Sequence, residues 1–160
     1  MFVRLFRPFI ILNIVLLFSF SISVNTFVRF EIINLVFYIF FHIAFIYTLI
    51  FYYNISIFIT GLFYGIFFDI ILLKEISSHL LTFIILILLY IATKKYLFLL
   101  SSYQVSTTIF ITLIITLLFE LILTYIIIDI NFTFIQIVKY IIISLLIFVP
   151  SIYLLNKLDK

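Results

Sequence analysis

Ile59-Thr60-Gly61-Leu62-Phe63-Tyr64-Gly65-Ile66-Phe67-Phe68-Asp69 holds both glycines of the chain, four residues apart, with an aspartate four residues beyond the second. On a helix, residues four apart are surface neighbours, so Gly61, Gly65 and Asp69 line one stripe. The flanks are Ile, Leu and Phe, which places this helix in lipid. There a small-xxx-small pair lets a second backbone come close. A carboxylate in such a helix is costly unless it faces protein or water and finds a partner. The spacing therefore predicts the central helix of a membrane bundle, with a smooth groove near its middle and an acid toward one end. The simpler reading is packing alone. In it the glycines make a helix–helix contact, and Asp69 sits near a helix end, where charge is tolerated better than at the centre.

Working outward, 68% of the 160 residues are hydrophobic and 9% are charged. A soluble domain carries about 25% charged residues, so this chain cannot cover a water-facing surface. It reads as an all-α integral membrane protein, one six-helix transmembrane bundle forming a single domain over residues 1–160. There is no cysteine, which excludes a disulfide frame, thiol catalysis and a cysteine metal site. The net charge is +3, but the basic residues lie near helix ends, which fits topology rather than a nucleic-acid stripe. The abundant Phe side chains read as lipid-facing or core rather than as an aromatic binding box.

Six apolar runs are expected as spans, over about 9–24, 33–53, 57–73, 79–93, 105–128 and 132–155. Each is close to what a bilayer requires at about 1.5 Å per residue. Arg4 and Arg7 before the first run also suit a signal peptide, but no small-residue cleavage site follows. Asn25–Ile32 reads as a loop, and Asn54-Ile55-Ser56 as the tightest link, joining spans two and three as a hairpin. Lys74–Ser78 reads as a polar turn in which Ser77 or Ser78 caps the next helix. Leu97–Gln104 is apolar and then polar, and reads as interfacial, with Tyr96 and Tyr103 at headgroup level. Pro150 is expected to kink or locally unwind the last turns.

Basic residues set the orientation. With six spans, Arg4, Arg7, Lys94, Lys95, Lys157 and Lys160 share one side, against Arg29 and Lys74 on the other, with Lys139 dipping in from there. The bias puts both termini in the cytoplasm. Counting along the helices brings Asp69, Glu120 and Lys139 to roughly 20 Å above the cytoplasmic edge, with His79 slightly higher. Four ionisable groups on four helices thus reach one outer layer, where they pair or face a shared wet cavity. Lys139 with Glu120 is the leading pair, and Asp69 with His79 the second. Separate snorkelling of each group to the interface is the alternative. His42, near mid-membrane, reads as a hydrogen-bonded interior residue ahead of a proton relay. Metalloprotease, nucleophile-elbow and phosphate-loop motifs are absent, and no cofactor or metal is implied. An aspartyl dyad of Asp69 with Glu120 has nothing beside it to handle a substrate.

Gly61-x-x-x-Gly65-x-x-x-Asp69, a short turn, His79-Leu80-Leu81 and an apolar helix ending in Lys94-Lys95-Tyr96 together resemble the rod shape-determining protein MreD family. Asp129-Ile130-Asn131-Phe132 resembles that family's last outer turn. Phe148-Val149-Pro150 followed by Leu154-Leu155-Asn156-Lys157 resembles its terminal helix. The resemblance covers about residues 55–158. Ser77 stands where the family usually has glycine, and Leu81 or its neighbour where it has a small residue. Those departures imply looser packing of span four than in relatives.

The resemblance implies a six-span inner-membrane member of the cell-elongation complex, not an enzyme. It would work with MreC, the actin-like MreB, the glycosyltransferase RodA and a class B penicillin-binding protein. The implied fold is similar to the substrate-binding subunits of energy-coupling-factor vitamin transporters. In this reading the Gly61/Gly65 groove accepts a helix of this bundle or of MreC. Asp69, His79, Glu120 and Lys139 then fix a cavity or docking surface on the periplasmic side. A small solute-binding transporter subunit is the alternative, and the sparse polar inventory argues against it.

Overall fold

The computed structural model describes residues 2–26, 31–73, 78–97, 99–129 and 131–158, and within them all side chains except those of residues 2–10, 23, 25, 26, 31 and 102. The chain is all-α. Its elements are α1 (Phe2–Thr26), α2 (Glu31–Tyr52), α3 (Ile55–Phe68), a π-helical turn (Asp69–Leu73), α4 (Ser78–Leu97), α5 (Ser102–Ile128) and α6 (Phe134–Leu158). Among the described residues, five helices are long and apolar enough to cross a membrane: α2, α3 with its π turn, α4, α5 and α6. In α1 the described apolar stretch is the shorter Ile11–Ile22.

Several boundaries differ from the sequence expectation, for physical reasons. The link after α2 is shorter than Asn54-Ile55-Ser56, because Asn54 is itself the N-cap of α3. Its side chain accepts from Ser56 N at 2.6 Å and Ile57 N at 3.3 Å. Instead of an interfacial piece from Leu97 to Gln104, α4 runs on to Leu97 and α5 starts at Ser102. The Gln104 side chain reaches back and accepts from Ser101 N at 2.8 Å and Ser101 Oγ at 3.0 Å, which starts α5 early. Tyr96, Leu99 and Tyr103 around this turn are exposed. Asp129 closes α5 in the left-handed conformation, φ 59°, with its N–H on Tyr125 O, a role that short polar side chains fill where glycine is lacking. Nor does α6 unwind at Pro150; it continues to Leu158. In lipid, unwinding would expose further backbone groups with no water to bind them. Arg4, Arg7, Arg29, Lys74 and Lys160, used above for orientation, lie outside the residues whose side chains are described, as do the 27–30 part of the expected first loop and Ser77.

Two compact units account for the packing: residues 1–48 with 135–160, and residues 49–134. In the first, Asn13 Nδ2 donates to Thr48 Oγ1 at 3.1 Å, joining α1 to α2. Tyr47 Oη donates to Asn156 Oδ1 at 3.1 Å, joining α2 to α6. Every residue from Phe41 to Leu49 is buried. His42 is fully buried, and its Nδ1 donates to Tyr38 O at 2.9 Å. Here one expectation is corrected. The enclosed helix is α2, two-thirds buried along its span, whereas the glycine helix α3 is one-third buried. Glycines mark a close approach on one face, not enclosure on all sides.

The second unit is built on α4, which packs against α3 on one flank and α5 on the other. α3 buries Ile57, Gly61, Tyr64, Gly65 and Phe68. α4 buries His79, Thr82, Phe83, Leu86, Ile87 and Tyr90. α5 buries Val105, Ile109, Leu113 and Leu117, and then Glu120 and Thr124. These three- and four-residue spacings are those of one face on each helix.

Candidate functional site

The first amides of a helix have no acceptor within it. At the start of α4 the acceptor comes from another helix. Asp69 Oδ1 accepts from His79 N at 2.9 Å, and Oδ2 from Leu80 N at 3.1 Å. Asp69 is fully buried. Its charge is met by two amides and the positive end of a helix dipole, which is what makes a carboxylate tolerable in an apolar helix. Ser77 or Ser78 was expected in this role. Ser77 lies outside the described residues, Ser78 is the first residue of α4, and the acceptors for His79 N and Leu80 N come from ten and eleven residues upstream. Asp69 also opens the π turn, and its own N–H reaches both Gly65 O and Ile66 O. Such widened turns are often found where a helix must re-aim a functional side chain.

Gly65 is what lets the two backbones meet. A Cβ there would lie 2.5 Å from Leu80 Cα, 3.0 Å from Leu80 N and 3.3 Å from His79 O. Both residues whose amides Asp69 caps are therefore the ones Gly65 admits. For Gly65, then, the groove is occupied by this chain's own α4. Gly61 is buried on the same helix. The close approach stands at Leu80.

His79 carries the site across to α5. Its Nδ1 lies 2.8 Å from Asp69 Oδ1, and its Nε2 lies 3.5 Å from Glu120 Oε1. Because Asp69 accepts, Nδ1 is the protonated nitrogen on that side. The imidazole thus stands between two buried carboxylates from two other elements. Phe68 lies over the ring at 5.9 Å between centroids and stacks in turn on Phe83 at 6.2 Å. Both phenyl groups are fully buried.

Hydroxyls extend the layer. Thr124 donates to Glu120 O at 2.8 Å, which uses its one hydrogen, so Ser78 is the donor in the 2.9 Å contact with Thr124 Oγ1. Thr82 donates to Ser78 O at 2.8 Å. Sequence reasoning passed over Thr82 and Thr124. The signal was present, since Thr82 follows Ser78 by four and Thr124 follows Glu120 by four.

Of the four groups placed in one layer by sequence, Asp69, His79 and Glu120 meet in this unit. Lys139 is half-buried on α6, in the other unit. Within the second unit, His79 stands beside Glu120. Among the described residues, no three His, Asp or Glu side chains are arranged to hold a metal ion. What the arrangement does chemically is fasten three helices at one level through a charged, desolvated network. No family model matches the chain, and neither a curated protein nor a solved structure does.

Proposed function

We propose that the chain is a non-enzymatic, multi-pass component of the cell-elongation complex of a bacterial inner membrane, related to the MreD family. Its role is to support MreC in guiding lateral peptidoglycan synthesis and maintaining cell shape. RodA and a class B penicillin-binding protein are the further partners, MreB is an indirect one, and both termini are cytoplasmic. One observation carries the reading. The residues that form the family-like motif, Gly65, Asp69, His79 and Leu80, fold onto one another as a rigid helix junction. Their polar atoms are engaged in fixing helices, as a scaffold requires. With Gly65 closed by α4, MreC would meet a surface that this junction shapes, rather than the Gly65 groove itself.

The experiment is depletion in the native host, with cell shape imaged and MreC co-purified on the full-length chain. Loss of rod shape on depletion, and recovery of MreC with the wild-type chain, support the reading. Cells that remain rods, with MreC absent from the purified material, overturn it.

A further inference from the structure

Running unbroken through Pro150, α6 carries an acceptor that it cannot serve itself. Proline has no N–H, so the Leu146 carbonyl misses the bond that a turn normally supplies from four residues on. Leu146 stands midway along Phe134–Leu158, which puts this oxygen near the centre of the bilayer, far from water. Leu146, Val149 and Pro150 are all exposed, so the oxygen, which lies against their turn, opens outward from its unit. Among the described residues no side chain donates to it. In hydrocarbon such a group is normally met by a neighbouring helix or a hydroxyl side chain.

A hydroxyl stands on the same face. Tyr153 is 72% exposed and lies seven residues beyond Leu146, about 10 Å further along the axis. Side chains lean toward the N-terminus of their helix. Tyr153 is near the C-terminal end of α6, so its phenol leans toward the bilayer centre, away from the headgroups that a tyrosine anchor seeks. On its own helix the ring lies outside the backbone and cannot turn back to it. From a facing helix about 8–10 Å away, the same ring points at the carbonyl. Ile142, Leu146, Val149 and Tyr153, spaced four, three and four, are each half or more exposed. That spacing is the seam of a left-handed helix pair.

A face that holds both donor and acceptor is complementary to itself, as a two-fold contact requires. Two copies inserted the same way in one membrane run parallel, so equivalent residues meet at equal depth. Acyl chains have no donor to offer the carbonyl, and an unrelated helix would have to bring both groups. We propose that two copies of the chain pair along this face of α6, each Tyr153 hydroxyl donating to the Leu146 carbonyl of the other copy. The pairing does not depend on a role in cell elongation.

Because the chain has no cysteine, single cysteines report on the contact without background. Full-length Ile142→Cys and Val149→Cys proteins are reconstituted in phosphatidylethanolamine–phosphatidylglycerol vesicles and oxidised. Ile115→Cys is the control, since it is exposed and stands midway along α5. Disulfide-linked dimers are expected from the two α6 positions and not from Ile115. Association is then measured by energy transfer between copies labelled at Leu99→Cys, on the exposed turn before α5, as lipid dilutes the protein. Tyr153→Phe removes the donor, and Pro150→Ala returns the Leu146 carbonyl to its own helix. An interhelical hydrogen bond in a membrane is worth about threefold in an equilibrium constant, so losing the symmetric two should weaken dimerisation about eightfold. The double variant should be no weaker than either single one, because both changes remove the same bonds. Cross-linking at Ile115 as strong as at Val149, a chain that stays monomeric at every dilution, or dimers indifferent to both Tyr153→Phe and Pro150→Ala each overturn the proposal. The cross-linking arm leaves Tyr153 and Pro150 intact, so it decides between a second copy and lipid even if one of those variants fails to fold.

Discussion

Replacing Gly65 by alanine tests the junction most sharply. The added Cβ would stand 2.5 Å from Leu80 Cα, a backbone atom that cannot rotate aside. Restoring ordinary van der Waals separation requires α4 to retreat by about 1 Å. That retreat stretches the Leu80 N to Asp69 Oδ2 bond, now 3.1 Å, to about 4 Å, beyond hydrogen-bond range. Overpacking costs about 1–3 kcal/mol, and weakening a hydrogen bond to a charged acceptor costs about 1.5–3 kcal/mol more. Alanine's better helix propensity offsets about 1 kcal/mol. The expected net loss is about 2–4 kcal/mol. Reversible unfolding of the full chain in mixed micelles, titrated with a denaturing detergent and followed by circular dichroism, reads this directly. Two further arms sharpen it. Leu80→Ala should not relieve Gly65→Ala, because the clash is with Leu80 Cα and N rather than its side chain. Gly65→Ala and Asp69→Asn should be less than additive, because both weaken the same cap. A Gly65→Ala protein within about 0.5 kcal/mol of wild type, or one rescued by Leu80→Ala, would refute the reasoning.

Asp69→Asn keeps an oxygen acceptor but loses the charge, and is expected to cost about 1–2 kcal/mol. Asp69→Ala should cost about 3–5 kcal/mol, since it strands two amides and an imidazole in a buried site; the same unfolding assay ranks the two, and equal losses would contradict the trans-helix cap. Ser78→Ala and Thr124→Val, combined in a double-mutant cycle, should show a coupling of about 0.6 kcal/mol, the scale of an interhelical hydrogen bond in a membrane. Zero coupling would mean that the two hydroxyls do not meet. Pro150→Ala should leave stability unchanged or raise it by about 1 kcal/mol, because the helix already runs through that position and the Leu146 carbonyl regains a donor. A clear loss would show that the ring itself is packed.

How much of this is legible in the sequence follows from what lipid does to sequence signals. The helices and their membrane character were plain, because length and apolarity carry that information unaided. The Asp69–His79 contact was legible as well, because a charge in an apolar helix must be satisfied and the turn between the two is short. The identity of the most enclosed helix was not. In water, an apolar face against a polar one marks the core; in a bilayer both faces of α2 and α3 are apolar, so burial leaves no pattern. The glycines mark α3, yet α2, with His42 and Thr48 as its buried polar markers among the described residues, is the better covered. The start of α4 was legible to within one residue, but the Asp69 acceptors for the His79 and Leu80 amides were not, because caps are read from side chains just before a helix and these come from the preceding one. The start of α5 was placed three residues late, because Gln104 reaches back to Ser101 and opens the helix early, whereas its end at Ile128 stands where the sequence put it.

Because the amides of His79 and Leu80 find their acceptors on Asp69, the first turn of α4 is tied to a side chain on the preceding helix, and the two helices are expected to form together or not at all. Position 69 should therefore tolerate few replacements, and a saturation library at that codon scored for membrane accumulation would display the constraint.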